Sequence, residues 1–109
     1  MEARPLLGAV FGFGDSVQVE GMVSTYGGSI DTEPEVSSCD LVKQIVRFGG
    51  LPFLKANVSQ GGSPFLDASV WGQSNNPWNK KRIAGTSTEA ALIAQRVINV
   101  AISEDILGE

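Results

Sequence analysis

Ser87 is the residue whose type and setting could do chemistry. It lies in the small polar run Gly85-Thr86-Ser87-Thr88, directly ahead of Glu89-Ala90-Ala91-Leu92-Ile93-Ala94. Thr86 followed three residues later by Glu89 is a capping-box pattern, which predicts a helix starting at Ser87. Glu89, Ala90, Ala91 and Leu92 are strong helix formers and carry it onward. Residues 97–102 are mostly β-branched and apolar, which suits a strand buried on both faces. A serine on a small-residue turn at a helix start, followed by a buried strand, is one layout for a nucleophile or a proton relay. The same residues also describe a plain helix cap. Histidine is absent from the 109 residues, which excludes Ser-His-Asp and Cys-His catalysis within the chain. With Cys39 the only cysteine, a zinc site would fall almost entirely to carboxylates, so no metal and no cofactor is expected. Acid–base chemistry must rest on Lys, Asp, Glu, Tyr or a hydroxyl relay.

The elements that would position such a site read as α/β. Val10-Phe11-Gly12-Phe13 is a candidate strand, and Gly12 with Gly14 lacks the third glycine of a dinucleotide fingerprint. Residues 22–30 read as loop, with a turn at Gly27-Gly28. Ser37 and Asp40 form a weaker capping pair ahead of a helix whose apolar positions 41, 42, 45, 46 and 48 make a broad face for packing on a sheet. Gly49-Gly50 ends that helix as a C-cap. Residues 51–58 then read as a strand entered through Pro52, which suits a sheet edge. Residues 61–81 form a long loop rich in Gly, Ser, Asn and Pro, anchored by Phe65, Val70, Trp71 and Trp78. The expectation is four or five strands and two main helices, a partial mixed β-sheet with flanking helices, in one domain spanning residues 1–109.

Composition bounds the setting. Apolar residues make up 42% and charged residues 18%, the balance of a globular chain. A net charge of −4 argues against nucleic acid or an anionic membrane as the main partner. The short basic cluster Lys80-Lys81-Arg82 reads as solvated loop. No window approaches a membrane span. The apolar start at residues 5–13 is short, glycine-broken and preceded by Glu2, unlike a signal peptide. A single cysteine forms no internal disulfide, so a cytoplasmic location is expected and the sequon Asn57-Val58-Ser59 is read as chance.

The order of short motifs resembles the amidase signature family, and within it the branch of the fatty acid amide hydrolases. That family carries N-P-W, a G-G-S-S-G-G loop, E-x-A-L-I and a strand ending in D-I-G-G-S. This chain has Asn76-Pro77-Trp78, Gly85-Thr86-Ser87-Thr88, Glu89-Ala90-Ala91-Leu92-Ile93 and Asp105-Ile106-Leu107-Gly108-Glu109. Upstream, Leu6-Leu7-Gly8-Ala9-Val10 through Gly21-Met22-Val23-Ser24-Thr25-Tyr26-Gly27 is similar to the family's L-x-G-V-P-x-x-x-K-D…G-x-x-S-T-x-G. Lys55-Ala56-Asn57-Val58-Ser59-Gln60 is similar to its K-T-N-V-P-Q. The resemblance covers residues 6–109, the first part of a family domain.

The resemblance implies amide hydrolysis by a Ser-Ser-Lys relay, in which a neutral lysine draws a proton through a bridging serine from the nucleophilic serine. The bridging position matches Ser87. The lysine position falls on Gly14, beside Asp15, and the nucleophile position on Glu109. The oxyanion positions fall on Ile106, Leu107 and Gly108, with Leu107 replacing a glycine. Two glycines of the serine loop are also missing, so Thr88 runs straight into Glu89. Substrate contacts are implied at Gly62, Ser87, Ile106, Leu107, Gly108 and Glu109, with Gly62 near an acyl pocket. Gly27-Gly28-Ser29-Ile30 imitates the nucleophile motif out of register, with Thr25 where an aspartate belongs. Asp15 and Lys55 are the groups left to stand in for the lysine, though Asp15 reads more simply as a solvated loop residue.

The leading expectation is a truncated, catalytically inactive relative of enzymes that hydrolyse fatty acid amides and related carboxamides, keeping part of a pocket for a small amide or acyl ligand. Loss of both base and nucleophile removes orders of magnitude of rate. A second expectation is an active amidase completed by further residues or a partner chain. A third is a non-enzymatic interaction module that self-associates through uncovered sheet edges.

Overall fold

The protein is described by a computed structural model covering residues 3–30, 32–63, 69–85 and 88–105. Its centre is β1 (Val10–Gly14), the middle strand of a parallel three-stranded sheet. On one side β1 pairs with β2 (Leu51–Ala56), and on the other with β5 (Val100–Ile102). Alternation along β1 separates two faces. Phe11 and Phe13 point into the main core with Val19, Val42 and Ile45, their rings stacked at 6.1 Å. Gly12 and Gly14 occupy the opposite face, where Ile98 and Glu89 close down on the bare backbone.

Between β1 and β2 the chain crosses over through α1 (Asp40–Arg47), which delivers Val42 and Ile45 to the phenylalanine face. Only these two positions of the expected broad face are buried. Leu41 and Val46 are half exposed, because a single eight-residue helix turns one narrow stripe toward the sheet. Ser37 does not cap it. Cys39 takes the N-cap position without a side-chain bond, and Ser38 instead accepts from the Glu20 amide at 2.9 Å. The C-terminus behaves as expected. Gly49 at φ +96° lets its own N–H reach the Val46 carbonyl and the Gly50 N–H reach that of Ile45, a Schellman closure.

The stretch expected to be loop at residues 61–81 contains structure. After a 3-10 turn at Gln60–Gly62, β3 (Asn75–Asn76) and β4 (Asn79–Ile83) form an antiparallel pair around Pro77-Trp78. The polar, basic composition hid this hairpin, since β4 is exposed throughout and buries no alternating face. Lys80, Lys81 and Arg82 are solvated, but on a strand. Trp78 is 86% exposed and anchors nothing, while Phe65 lies outside the described residues.

Next comes α2 (Glu89–Ala94), which begins two residues later than the capping-box pattern predicts. Thr88 at its N-cap gives its hydroxyl not to the helix but to the Asn57 carbonyl, at 2.8 Å. The strand expected over 97–102 forms only from Val100. Arg96 at φ +60° and the preceding turn take up the residues between helix and strand, and Ile98 packs against Gly12. Among the described residues, five strands and two helices make the α/β fold a mixed arrangement of one parallel and one antiparallel sheet.

Candidate functional site

The C-terminal end of β1 places Gly14 and Asp15 side by side, facing different neighbours. Gly14 faces Glu89, the first residue of α2 and one of the most buried side chains, at 2% exposure. A Cβ placed on Gly14 would lie 2.6 Å from Glu89 Oε1 and 3.7 Å from a Val58 methyl. The position that the family resemblance gives to a lysine is therefore backed directly by a carboxyl group. Ser103 donates to Oε2 at 3.3 Å, while Oε1 has no hydrogen-bond partner among the described residues. Burial pushes the Glu89 carboxyl above its ordinary range, partly offset by its own backbone N–H and the Ser103 hydroxyl.

Asp15 faces the other way and organises a polar cluster. It is 5% exposed, so the expectation of a solvated loop residue is corrected. Its carboxylate accepts from the backbone N–H of Thr25 at 3.2 Å and of Gly27 at 3.3 Å, and from the Thr25 hydroxyl. These bonds fold the 24–28 loop around the carboxylate and satisfy a buried charge that would otherwise be costly. Lys55, near the end of β2 and paired in register with Phe13, brings Nζ to 3.8 Å from Asp15 Oδ1. It also donates to Ser24 Oγ at 2.6 Å. Its side chain is 8% exposed, and burial lowers its pKa from the ordinary lysine value, with Asp15 pulling in the opposite direction.

Trp71 closes the cluster from the loop, its indole N–H donating to Thr25 Oγ1 at 2.9 Å. Asn57 holds that loop in place by donating to the Gly72 carbonyl at 2.8 Å and accepting from Ser69 Oγ at 2.5 Å. Between these residues opens a cleft of about 520 Å³, with Met22, Val23, Ala56 and Trp71 as apolar wall and Lys55, Asn57 and Thr25 as polar groups. Its size suits a small organic ligand. Among the described residues no group of three Cys, Asp or Glu side chains converges as metal ligands.

Of the residues singled out in the sequence, Ser87, Ile106, Leu107, Gly108 and Glu109 lie outside the described residues. Gly62 ends the 3-10 turn that follows Ser59, and Gly14 sits at the end of the central strand. Sequence reasoning missed the convergence of Asp15, Thr25, Lys55 and Trp71. Their separations of 10 to 56 residues carry no local spacing signal.

Comparison with known proteins extends the resemblance carried by the motifs. The family described as Amidase matches residues 1–108. The candidate amidase AmiB2 of Mycobacterium tuberculosis is 31% identical over 107 residues, covering 95% of this chain and 23% of that protein. AmiA2 of the same organism is 28% identical over 110 residues, covering 98% of this chain and 23% of its own length. The candidate amidase kk1C of Curvularia clavata is 32% identical over 108 residues, covering 95% of this chain and 20% of that protein. The chain thus spans under a quarter of the length of these relatives. By the extent of the family match, this chain belongs to the amidase family.

Proposed function

We propose that this chain forms a single unit carrying an amide- or acyl-ligand cleft of the amidase type, and that it does not run a Ser-Ser-Lys hydrolysis of its own. Fatty acid amides and related carboxamides are the ligand class, and the setting is cytoplasmic. One observation carries the loss of hydrolysis. The position matched to the relay lysine is Gly14, and the space a side chain would enter there is held by Glu89 Oε1 at 2.6 Å from the would-be Cβ. A relay of that kind needs a neutral amine able to accept a proton. Glu89 puts a carboxyl group, not an amine, in that place.

The retained cleft is supported by its largely apolar wall and the converging polar groups of Lys55, Asn57 and Thr25. Two assays test the proposal together. A fluorophosphonate probe is expected to leave the protein unlabelled and oleamide to remain unhydrolysed, while oleamide quenches Trp71 fluorescence saturably in a Trp78→Phe background. Labelling abolished by Ser87→Ala, or clean turnover of oleamide, would overturn the inactive reading in favour of an active amidase.

A second reading, self-association, is favoured by a separate observation. Leu51 and Phe53 on the edge strand β2 are 54% and 58% exposed. An uncovered apolar edge is a template for pairing, and concentration-dependent sedimentation tests it.

A further inference from the structure

We propose that Lys55 is a nucleophilic amine in the cleft, an acyl-acceptor site for activated carboxylic esters and thioesters that carry an apolar acyl group. The proposal stands on placement. The sequence contains four lysines, and three of them, Lys43, Lys80 and Lys81, are exposed on α1 and β4. Lys55 lines the cleft, with its side chain 8% exposed and Nζ fixed from two sides by Ser24 Oγ at 2.6 Å and Asp15 Oδ1 at 3.8 Å. Asp15 already accepts from Thr25 and Gly27, so it holds the amine without being a carboxylate dedicated to it. Met22, Val23, Ala56 and Trp71 supply the apolar wall for an acyl chain. Ser24 itself is buried and does not line the cleft, so the amine, not the hydroxyl, meets an incoming carbonyl.

The step balances without any further reagent. The neutral Nζ lone pair attacks the carbonyl carbon, and an N–C bond forms. The carbon–oxygen or carbon–sulfur bond to the leaving group then breaks. The leaving phenolate or thiolate departs with the bonding pair, and the proton released from nitrogen passes to it or to water. The product is an amide on Nζ. A larger neutral fraction than an exposed lysine has follows from burial, which outweighs the attraction of the carboxylates of Asp15 and Glu35. The inference deepens the cleft reading above and rests on it only for the identity of the acyl chain.

The test is site-mapped acylation of the whole chain with p-nitrophenyl butyrate at pH 7.5. Peptide mass spectrometry would compare Lys55 with Lys43, Lys80 and Lys81. The expected result is one butyryl group on Lys55, added about tenfold or more faster than on the exposed lysines, with a rate profile inflecting below the ordinary lysine pKa. Lys55→Arg should remove the fast phase and leave the slow background. Should that variant fail to fold, the mapped rates in the unaltered chain decide alone. Equal rates at all four lysines, or a hydroxylamine-labile ester on Ser24, would overturn the proposal. Saturable quenching of Trp71 by oleamide with no preference for Lys55 would overturn this inference and leave the cleft standing. Fast acylation of Lys55 that excess oleamide neither slows nor competes with would uphold the amine and remove the amide-cleft reading.

Discussion

At the scale of single residues, two buried ionisable groups lie on opposite sides of the end of β1 and are handled differently. Asp15 accepts from Thr25 and Gly27 and faces the Lys55 ammonium, whereas among the described residues Glu89 has one side-chain hydroxyl partner and one oxygen without any. A carboxyl in that state is more stable protonated, so its folded-state pKa lies above the 4.5 of the free group. Below 4.5 the group is protonated in folded and unfolded chains alike, and its contribution to stability is fully present. As pH rises toward the folded value, the unfolded chain releases the proton first, and stability falls until both states are ionised. Glu89→Gln should therefore flatten the decline of Tm as pH rises above 4.5, read by thermal denaturation across a pH series. An unchanged slope would mean that another group sets the pH dependence. Lys55 has the opposite slope, since a depressed lysine pKa gives stability that is lost as pH falls from 10.5 through the folded value.

At the scale of elements, the helix ends differ in how firmly they are built. The C-terminus of α1 depends on Gly49 at φ +96°, where a Cβ would also come within 3.0 Å of Leu7 backbone atoms. Gly49→Ala should cost about 1–2 kcal/mol in urea denaturation, from the left-handed conformation together with the close contact. Loss of under about 0.3 kcal/mol would show that the loop re-forms without the Schellman closure. The N-terminus of α2 is different, since Thr88 ties it to Asn57 on the strand side instead of capping the helix. Six residues are too few to hold a helix by propensity alone. Contacts at Glu89, with Gly14 beneath it and Ser103 beside it, fix where the helix starts.

At the scale of the whole molecule, the sheet is covered on both faces near its centre, and the start of β2 is its exposed edge. The main core gathers Phe11, Phe13, Val19, Val42 and Ile45, while Leu51 and Phe53 turn outward on the edge strand. Replacing Phe53 by Lys should cost less than truncation of a core phenylalanine, about 1–2 kcal/mol, because more than half of its surface is exposed. The same substitution should lower any self-association, read by sedimentation equilibrium over a hundredfold range of concentration. A dimer that survives it would place the interface elsewhere. Among the described residues no helix is long and apolar enough to cross a membrane.

The sequence by itself determined the α/β class, a strand at residues 10–13, the Gly49-Gly50 stop and the family, because each rests on local pattern or on the order of motifs along the chain. It also showed that position 14 carries no lysine. It could not show that Glu89 fills that place, since the two residues lie 75 positions apart and meet only when α2 closes on the glycine face of β1. The hairpin of β3 and β4 was hidden because β3 is two residues long and β4 is exposed throughout, which leaves no periodic trace. The cluster of Asp15, Thr25, Lys55 and Trp71 was decided only by the tertiary structure. Burial and charge pairing are properties of neighbours in space, and parallel pairing of β1 with β2 is what brings Lys55 beside the residue after β1.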